Sequence, residues 1–187
     1  LEPCSHQGRT PPCTDAISTA GIAEVHYALD DPDPRVDGSG YRLLGAAGIR
    51  VVSGESEVEA RRVNEAYIKH RTRGLPFVVA KFAASLDGRI AAASGDSRWI
   101  SGLETRQWAH GLRTRLDAIL VGSSTVVIDD PQLTARPSDH EAAHQPLRVV
   151  VDTRGRVQPM ARIFGAPGRT LVATSDGSAP SWQASIE

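Results

Sequence analysis

At 187 residues the chain is long enough for one large domain or two small ones, with ample residues for a core. Its 40% hydrophobic and 23% charged residues, with a formal net charge of −1, exclude the basic excess of a nucleic-acid binder. No apolar run approaches the roughly 20 residues of a membrane span, and no signal peptide is visible, so a cytoplasmic protein without a membrane partner is expected.

The chain opens on LEPCSHQGRTPPC, chemistry placed before any scaffold, and it stops at SDGSAPSWQASIE without completing a periodic element. It therefore reads as a piece of a longer protein. Cys4 and Cys13 stand in a C-x8-C spacing with His6 and Arg9 between them. Thr14 and Asp15 can cap a helix running to about Ala20, which puts Cys13 at a helix N-terminus, where the dipole favours a thiolate. The pair reads either as two free thiols in a reducing compartment or as two metal ligands; the Pro-Cys start and Pro-Pro-Cys finish resemble the second half of a zinc deaminase site. His6 reads either as a further metal ligand or, in preference, as a residue facing the substrate.

A short strand over Val25–Ala28 precedes the turn-rich DDPDPRVDGSG. A helix at about Tyr41–Ala47, a strand at Ile49–Val52 and a long amphipathic helix over Glu55–Arg73 follow, the last with Val58, Val63, Ala66 and Tyr67 as its buried stripe. Strand, helix, strand, helix implies a parallel sheet, and the turn RTRGLP marks a domain boundary at residues 74/75.

Phe77–Ala84 is a near-continuous apolar run of the kind a strand buried on both faces produces, and its lone charge is Lys81. Lys81 is one of only two lysines among 21 basic residues. It reads either as a snorkelling side chain on an edge strand or as a ligand-facing cation near a strand's C-terminal end. Asp87-Gly88 is a two-residue turn signal that folds Arg89–Ala93 back on this strand, before the polar loop Ser94–Arg98 and Trp99.

Glu104–Arg115 is a helix carrying Trp108, Leu112, Arg106, Arg113 and Arg115. The strand Ala118–Val121 runs into Gly122-Ser123-Ser124-Thr125, which reads as an ordinary helix cap or as an anion site. Leu133–Arg136 leads into a polar loop, and Leu147–Val151 is a buried strand ending in Asp152 and Thr153. The strand Thr170–Ala173 closes the series. Lys81, Thr125 and Thr153 are placed at or just beyond strand C-termini, where open α/β sheets hold ligands.

Together, LEPCSHQGRTPPCTDAI, KFAASLDGRIAAASGDSRWIS and VGSSTVVIDDPQLTAR resemble the bifunctional riboflavin-biosynthesis deaminase/reductase family, in that family's order. The resemblance implies an α/β chain: the C-terminal part of a cytidine-deaminase-like αβα domain (residues 1–74) followed by the N-terminal part of a dihydrofolate-reductase-like αβα domain (residues 75–187). It implies zinc-dependent deamination of a diaminopyrimidine, a hydrolase step, and NADPH-dependent reduction of 5-amino-6-(5-phosphoribosylamino)uracil to the ribitylamino product, an oxidoreductase step. The partner is then a small phosphoribosyl-pyrimidine, and the full-length protein is expected to be a homo-oligomer.

Residue by residue, the resemblance makes Cys4 and Cys13 zinc ligands and sets His6 and Arg9 at the deaminase substrate. In the reductase it makes Ala83, Trp99, Thr125, Asp129 and Thr153 contacts to NADPH, and Ser97, Arg113, Leu133 and Arg136 contacts to substrate. Guanidinium forks at Arg113 and Arg136 suit a ribosyl phosphate, and the Asp129 carboxylate suits sugar hydroxyls. Lys81, with Asp129, is the catalytic candidate, positioned to protonate or polarise the oxygen or imine nitrogen at the carbon that receives hydride. The family's His-x-Glu motif falls upstream of Leu1 and its glutamate-and-glycine segment beyond Glu187, so this stretch alone is not expected to deaminate. A single-activity reductase with a vestigial deaminase domain, or a non-catalytic zinc or nucleotide-binding module, are the alternatives.

Overall fold

The computed structural model describes residues 1–186, without the side chain of Asp139. These residues divide into two compact units, Leu1–Lys81 and the chain from Phe82 onward. In the first, α1 (Cys13–Thr19), β1 (Glu24–Tyr27), α2 (Ser39–Ala46), β2 (Arg50–Ser53), α3 (Glu57–Val63) and α4 (Glu65–Arg73) follow one another. As the alternation implies, β1 and β2 pair in parallel, with Val25 opposite Val51. Tyr27, Leu29, Val36, Leu44 and Ile49 are the buried apolar residues around them.

The N-terminal segment is tied to α2 by the buried carboxylate of Glu2, which accepts from the backbone N–H groups of Gly38 and Tyr41, both at 3.0 Å. The chain passes so close that a Cβ on Gly40 would lie 1.9 Å from the Pro3 carbonyl oxygen, so no larger residue fits there. No side-chain cap is made at the start of α1, contrary to the expected capping by Thr14 and Asp15. The Thr14 hydroxyl is instead buried without a hydrogen-bond partner among the described residues, and its backbone N–H donates to Cys4 O at 3.2 Å.

The long helix expected over Glu55–Arg73 is two helices. Asn64 leaves helical geometry (φ −103°, ψ 10°), and its side-chain amide donates to Ala60 O at 2.9 Å, an alternative to the helix ladder that Asn commonly offers. Its expected stripe is not buried either: Val58 and Val63 are 61% and 85% exposed, Ala66 is exposed, and Tyr67 is half-buried through its hydroxyl's bond to Asp31 (2.8 Å).

In the second unit α5 (Leu103–Arg113), β3 (Ala118–Gly122), α6 (Ser123–Asp129), a 3₁₀ turn (Pro137–Asp139), β4 (Leu147–Val151), α7 (Arg162–Gly165), β5 (Thr170–Ala173) and α8 (Pro180–Ile186) succeed one another. The sheet order is β3-β4-β5, all parallel, with Val121 opposite Val150 and Val150 opposite Val172. One face of this sheet is covered: Val126 of α6, Val150, Val157 and Ile163 of α7 form a buried cluster, with Val121, Leu133, Phe164 and Val172 packed against it.

Phe77–Ala84 is the largest departure from the sequence reading. It forms no strand, and Phe77, Val78, Val79, Lys81 and Phe82 are all exposed. A strand exists only where a neighbouring strand takes up its N–H and C=O groups, and no described strand pairs with this run. The Asp87-Gly88 turn is present, with Gly88 at φ +79° and Ser85 N–H donating to Arg89 O at 2.9 Å, but it joins no strands.

Candidate functional site

The second unit brings three of the expected substrate residues to one corner. Arg113 lies in the last turn of α5, and Leu133 and Arg136 lie on the segment between α6 and β4. Arg113 Nη1 donates to Thr134 O at 3.1 Å, while the Arg136 guanidinium is held by the side-chain oxygen of Gln132. Burial, reinforced by the positive charge of Arg136, holds the Arg113 pKa below its ordinary value. Neither guanidinium has a carboxylate partner among the described residues. The chemistry of two partly buried like charges suits an anion, most favourably one with several oxygens. Leu133 between them adopts φ +54°, a conformation that costs a branched aliphatic residue about 1–2 kcal/mol and is tolerated where the surroundings impose it.

The same corner contains groups that sequence reasoning missed. His110, one helical turn before Arg113, has its Nδ1 3.1 Å from Thr134 O and 3.2 Å from the backbone nitrogen of Arg136. Gln145 clasps the neighbouring residue, accepting from Ala135 N–H at 2.8 Å and donating to Ala135 O at 3.0 Å. The i, i+3 spacing of His110 and Arg113 was the available signal. It says that the two share a helix face, not what that face meets.

Ser97 and Trp99 line a cavity of 380 Å³ together with Ser85, Asp87 and Arg89. The Trp99 ring lies beneath the Arg106 guanidinium, 4.1 Å from its centroid, and Arg98 reaches Asp129 O at 2.7 Å. Asp129 is the last residue of α6. Thr125, on α6, and Thr153, just after β4, are exposed beyond the C-terminal ends of two adjacent strands, as expected. Ala83 is half-buried on a segment without secondary structure.

The turn that carries Thr153 is organised by Asp152, fully buried, whose carboxylate accepts from the N–H groups of Arg154 (3.3 Å), Arg156 (2.7 Å) and Val157 (2.8 Å). Arg156 Nη1 then donates to Ser124 Oγ at 3.2 Å, tying this turn to α6. Lys81 belongs to the first unit, and is exposed rather than set in a strand.

The first unit holds Cys4, His6, Arg9 and Cys13. The two Sγ atoms are 3.5 Å apart, and Cys13 N–H donates to Cys4 Sγ at 3.4 Å. The Cys13 thiol is pushed above its ordinary pKa, first by its hydrogen bond to Cys4 and then by burial, the opposite of the lowering expected from the helix dipole alone. Two thiolates on one tetrahedral zinc lie roughly 3.8 Å apart, from Zn–S bonds of about 2.3 Å, so the observed separation fits that metal. His6 is half-buried, its Nδ1 buried without a hydrogen-bond partner among the described residues, and Arg9 is exposed. No group of three or more metal-ligating side chains occurs among the described residues.

Residues 76–187 match the family described as RibD C-terminal domain. The chain belongs to that family. Over its whole length it is similar to "Riboflavin biosynthesis protein RibD" of Escherichia coli, 41% identical and aligned to 53% of that protein. It is 49% identical to the RibD protein of Chlamydia trachomatis over 94% of this chain and 47% of that one. Among solved structures, 97% of the chain superposes on 52% of a Thermotoga maritima diaminohydroxyphosphoribosylaminopyrimidine deaminase/5-amino-6-(5-phosphoribosylamino)uracil reductase, with a TM-score of 0.84 and 39% identity. All of it superposes on 52% of Acinetobacter baumannii RibD, with a TM-score of 0.83. The chain thus spans about half the length of the RibD relatives it matches. No helix among its described residues is long and apolar enough to cross a membrane.

Proposed function

We propose that this chain carries the reductase chemistry of riboflavin biosynthesis: NADPH-dependent reduction of 5-amino-6-(5-phosphoribosylamino)uracil to the ribitylamino product, with zinc-dependent deamination of the preceding diaminopyrimidine in the same full-length polypeptide. The observation that carries it is the pair Arg113 and Arg136, two guanidiniums without a carboxylate partner among the described residues, in a chain of the RibD C-terminal domain family. A phosphate dianion satisfies such a pair, and a phosphoribosyl group supplies it. Ser97 and Leu133 complete the substrate contacts in this reading.

NADPH, when bound, supplies the hydride, and Ala83, Trp99, Thr125, Asp129 and Thr153 are assigned to hold it. The exposed hydroxyls of Thr125 and Thr153 beyond adjacent strand ends suit a polar cofactor of this kind. Lys81 and Asp129 are assigned to the reacting carbon on family membership, Lys81 as the proton source for the atom bearing negative charge and Asp129 as the acceptor that orients sugar hydroxyls. In the first unit, read as a cytidine-deaminase-like domain, Cys4 and Cys13 would hold zinc, which activates water for attack on the ring. His6 and Arg9 would face the pyrimidine. Cytoplasmic location and homo-oligomeric assembly belong to the same reading.

Arg136→Ala in the complete enzyme tests it. A guanidinium on a phosphate serves ground state and transition state alike, so KM rises more than kcat falls. Loss of a charge-assisted contact costs about 1.5–3 kcal/mol, roughly 10- to 150-fold in kcat/KM, and the penalty shrinks for the dephosphorylated substrate. Equal penalties on the two substrates overturn the assignment of the phosphate to this corner.

A further inference from the structure

Three polar groups converge on one nitrogen of a residue to which the reading above gives no role. Around His110 Nδ1 stand the backbone nitrogen of Arg136 at 3.2 Å, Arg113 Nη1 at 3.3 Å and Thr134 O at 3.1 Å. The two nitrogens are donors without alternative: a backbone amide carries its proton, and a guanidinium has no lone pair to offer. The Arg136 N–H is directed at Nδ1, and Thr134 O already accepts from Arg113 Nη1 at 3.1 Å. Toward the Arg136 N–H, therefore, Nδ1 is placed as the acceptor.

We propose that His110 is the positioning residue of the anion-binding corner: by accepting from the Arg136 N–H at Nδ1 it fixes the backbone of Arg136 against α5, and so sets the spacing of the Arg113 and Arg136 guanidiniums that hold the substrate phosphate. The proposal rests on the reading of those two arginines as the phosphate clamp. Its physical content is a matter of chain geometry. Arg113 is carried by α5, whereas Arg136 belongs to a segment that enters the 3₁₀ turn, 26 residues from His110 in sequence. Burial, and then the like charge of Arg136, disfavour the Arg113 guanidinium, so the pair gains from an anion and opposes being held together without one. The Gln145 clasp holds Ala135 from the β4 side, but it makes no bond to α5. Among the described residues, direct ties between α5 and the Thr134–Arg136 backbone are the bond from Arg113 to Thr134 O and the bond from the Arg136 N–H to His110 Nδ1. Without the latter, phosphate must order the clamp on binding, and that ordering is charged to affinity rather than to hydride transfer.

The experiment is steady-state reduction by the complete enzyme carrying His110→Ala, His110→Asn or Arg136→Ala, each with phosphorylated and dephosphorylated substrate. Asn places its side-chain oxygen close to where Nδ1 stands, so it restores the acceptor. The expected result is that His110→Ala raises KM for the phosphorylated substrate roughly tenfold, the size of one hydrogen bond of about 1.4 kcal/mol, with kcat within about twofold. On the dephosphorylated substrate it matches the wild type, and His110→Asn comes back to within about threefold of wild type on both. Should the alanine variant not fold, His110→Gln replaces it: its amide reaches toward Nε2, so Gln shows the raised KM and Asn does not. An unchanged KM, a penalty equal on both substrates, or an Asn variant as impaired as Ala overturns the role of His110. The Arg136→Ala arm separates that failure from failure of the phosphate reading, which it alone reports.

Discussion

Two strands of sequence, PFVVAKFAA and PLRVVV, present the same pattern of a lone cation inside an apolar run after a proline, and the molecule treats them in opposite ways. In the second, Arg148 is 1% exposed in the central strand of the β3-β4-β5 sheet. Its guanidinium donates to the carbonyl oxygens of Ala166 (3.0 Å), Pro167 (2.9 Å), Gly168 (2.9 Å) and Gln132 (3.4 Å), and to Thr170 Oγ1 (3.0 Å). In the first, Lys81 stands exposed on a segment that no strand among the described residues pairs with. The difference lies in donor geometry. A planar fork with five N–H groups can collect the carbonyls of the α7–β5 connection and remain charged and buried, whereas an ammonium is a compact, strongly hydrated charge that gains most from water. Burial of a cation is decided by whether acceptors surround it, not by how apolar its neighbours in sequence are.

This contrast can be broken most directly by removing each cation. Arg148→Ala leaves several backbone carbonyls without donors, each costing about 1–3 kcal/mol, so the second unit should lose at least ~3 kcal/mol of stability or fail to fold. Lys81→Ala, on an exposed site, should change stability by less than about 0.5 kcal/mol. Urea unfolding of both variants checks this. A larger loss for Lys81→Ala would mean that the Phe77–Ala84 run is buried after all.

A buried anion sharpens the same comparison at smaller amplitude. Asp152 has three backbone N–H donors and, among the described residues, no cationic partner in a salt bridge. Asp152→Asn presents an NH₂ group to at least one of them, with an expected loss of about 1–3 kcal/mol and faster amide exchange at Val157, whose N–H gives up a bond of 2.8 Å. Unaltered exchange at Val157 would show that this turn does not depend on the carboxylate.

Where local pattern and tertiary demand coincide, the sequence was legible. β4 and β5 occupy the expected spans 147–151 and 170–173, because strands of a parallel sheet are nearly unbroken apolar runs, β4 in the middle of this one and β5 beside it. The proximity of the two free thiols Cys4 and Cys13 and the strand-end positions of Thr125 and Thr153 were legible because short spacings and element ends constrain them. Phe77–Ala84 was not, since its strand character depended on a partner that the run itself cannot specify. His110 was not, because its acceptor role exists only once Arg136, far along the chain, delivers an N–H to it. The Asn64 break between α3 and α4 was visible in principle, Asn being a residue whose side chain competes with the helix, but the continuous polar-apolar alternation around it masked the signal.

The smallest effect concerns a buried proton in the first unit. Tyr27 is 8% exposed, and its hydroxyl donates to Asp30 at 2.9 Å. Burial, and then that hydrogen bond, push its pKa up to about 12 from an ordinary value near 10. A group that holds its proton more tightly when folded lends stability in full below its unfolded pKa. That stability is lost as pH rises through the folded one, because over this window the unfolded chain binds fewer protons. The first unit should therefore weaken between about pH 10 and pH 12, and Tyr27→Phe, which cannot ionise, should remove Tyr27's share of the slope. Tyr67, raised likewise by burial and by its bond to Asp31, contributes in the same direction, so Tyr27→Phe/Tyr67→Phe should be flatter still. Unfolding midpoints at a series of alkaline pH values, with phenolate absorbance followed in parallel, decide the matter. A Tyr27→Phe profile parallel to that of the wild type, or a Tyr27 titration at the ordinary tyrosine value, would show that this hydroxyl is reached by water and that the β1–β2 core is more open than its packing indicates.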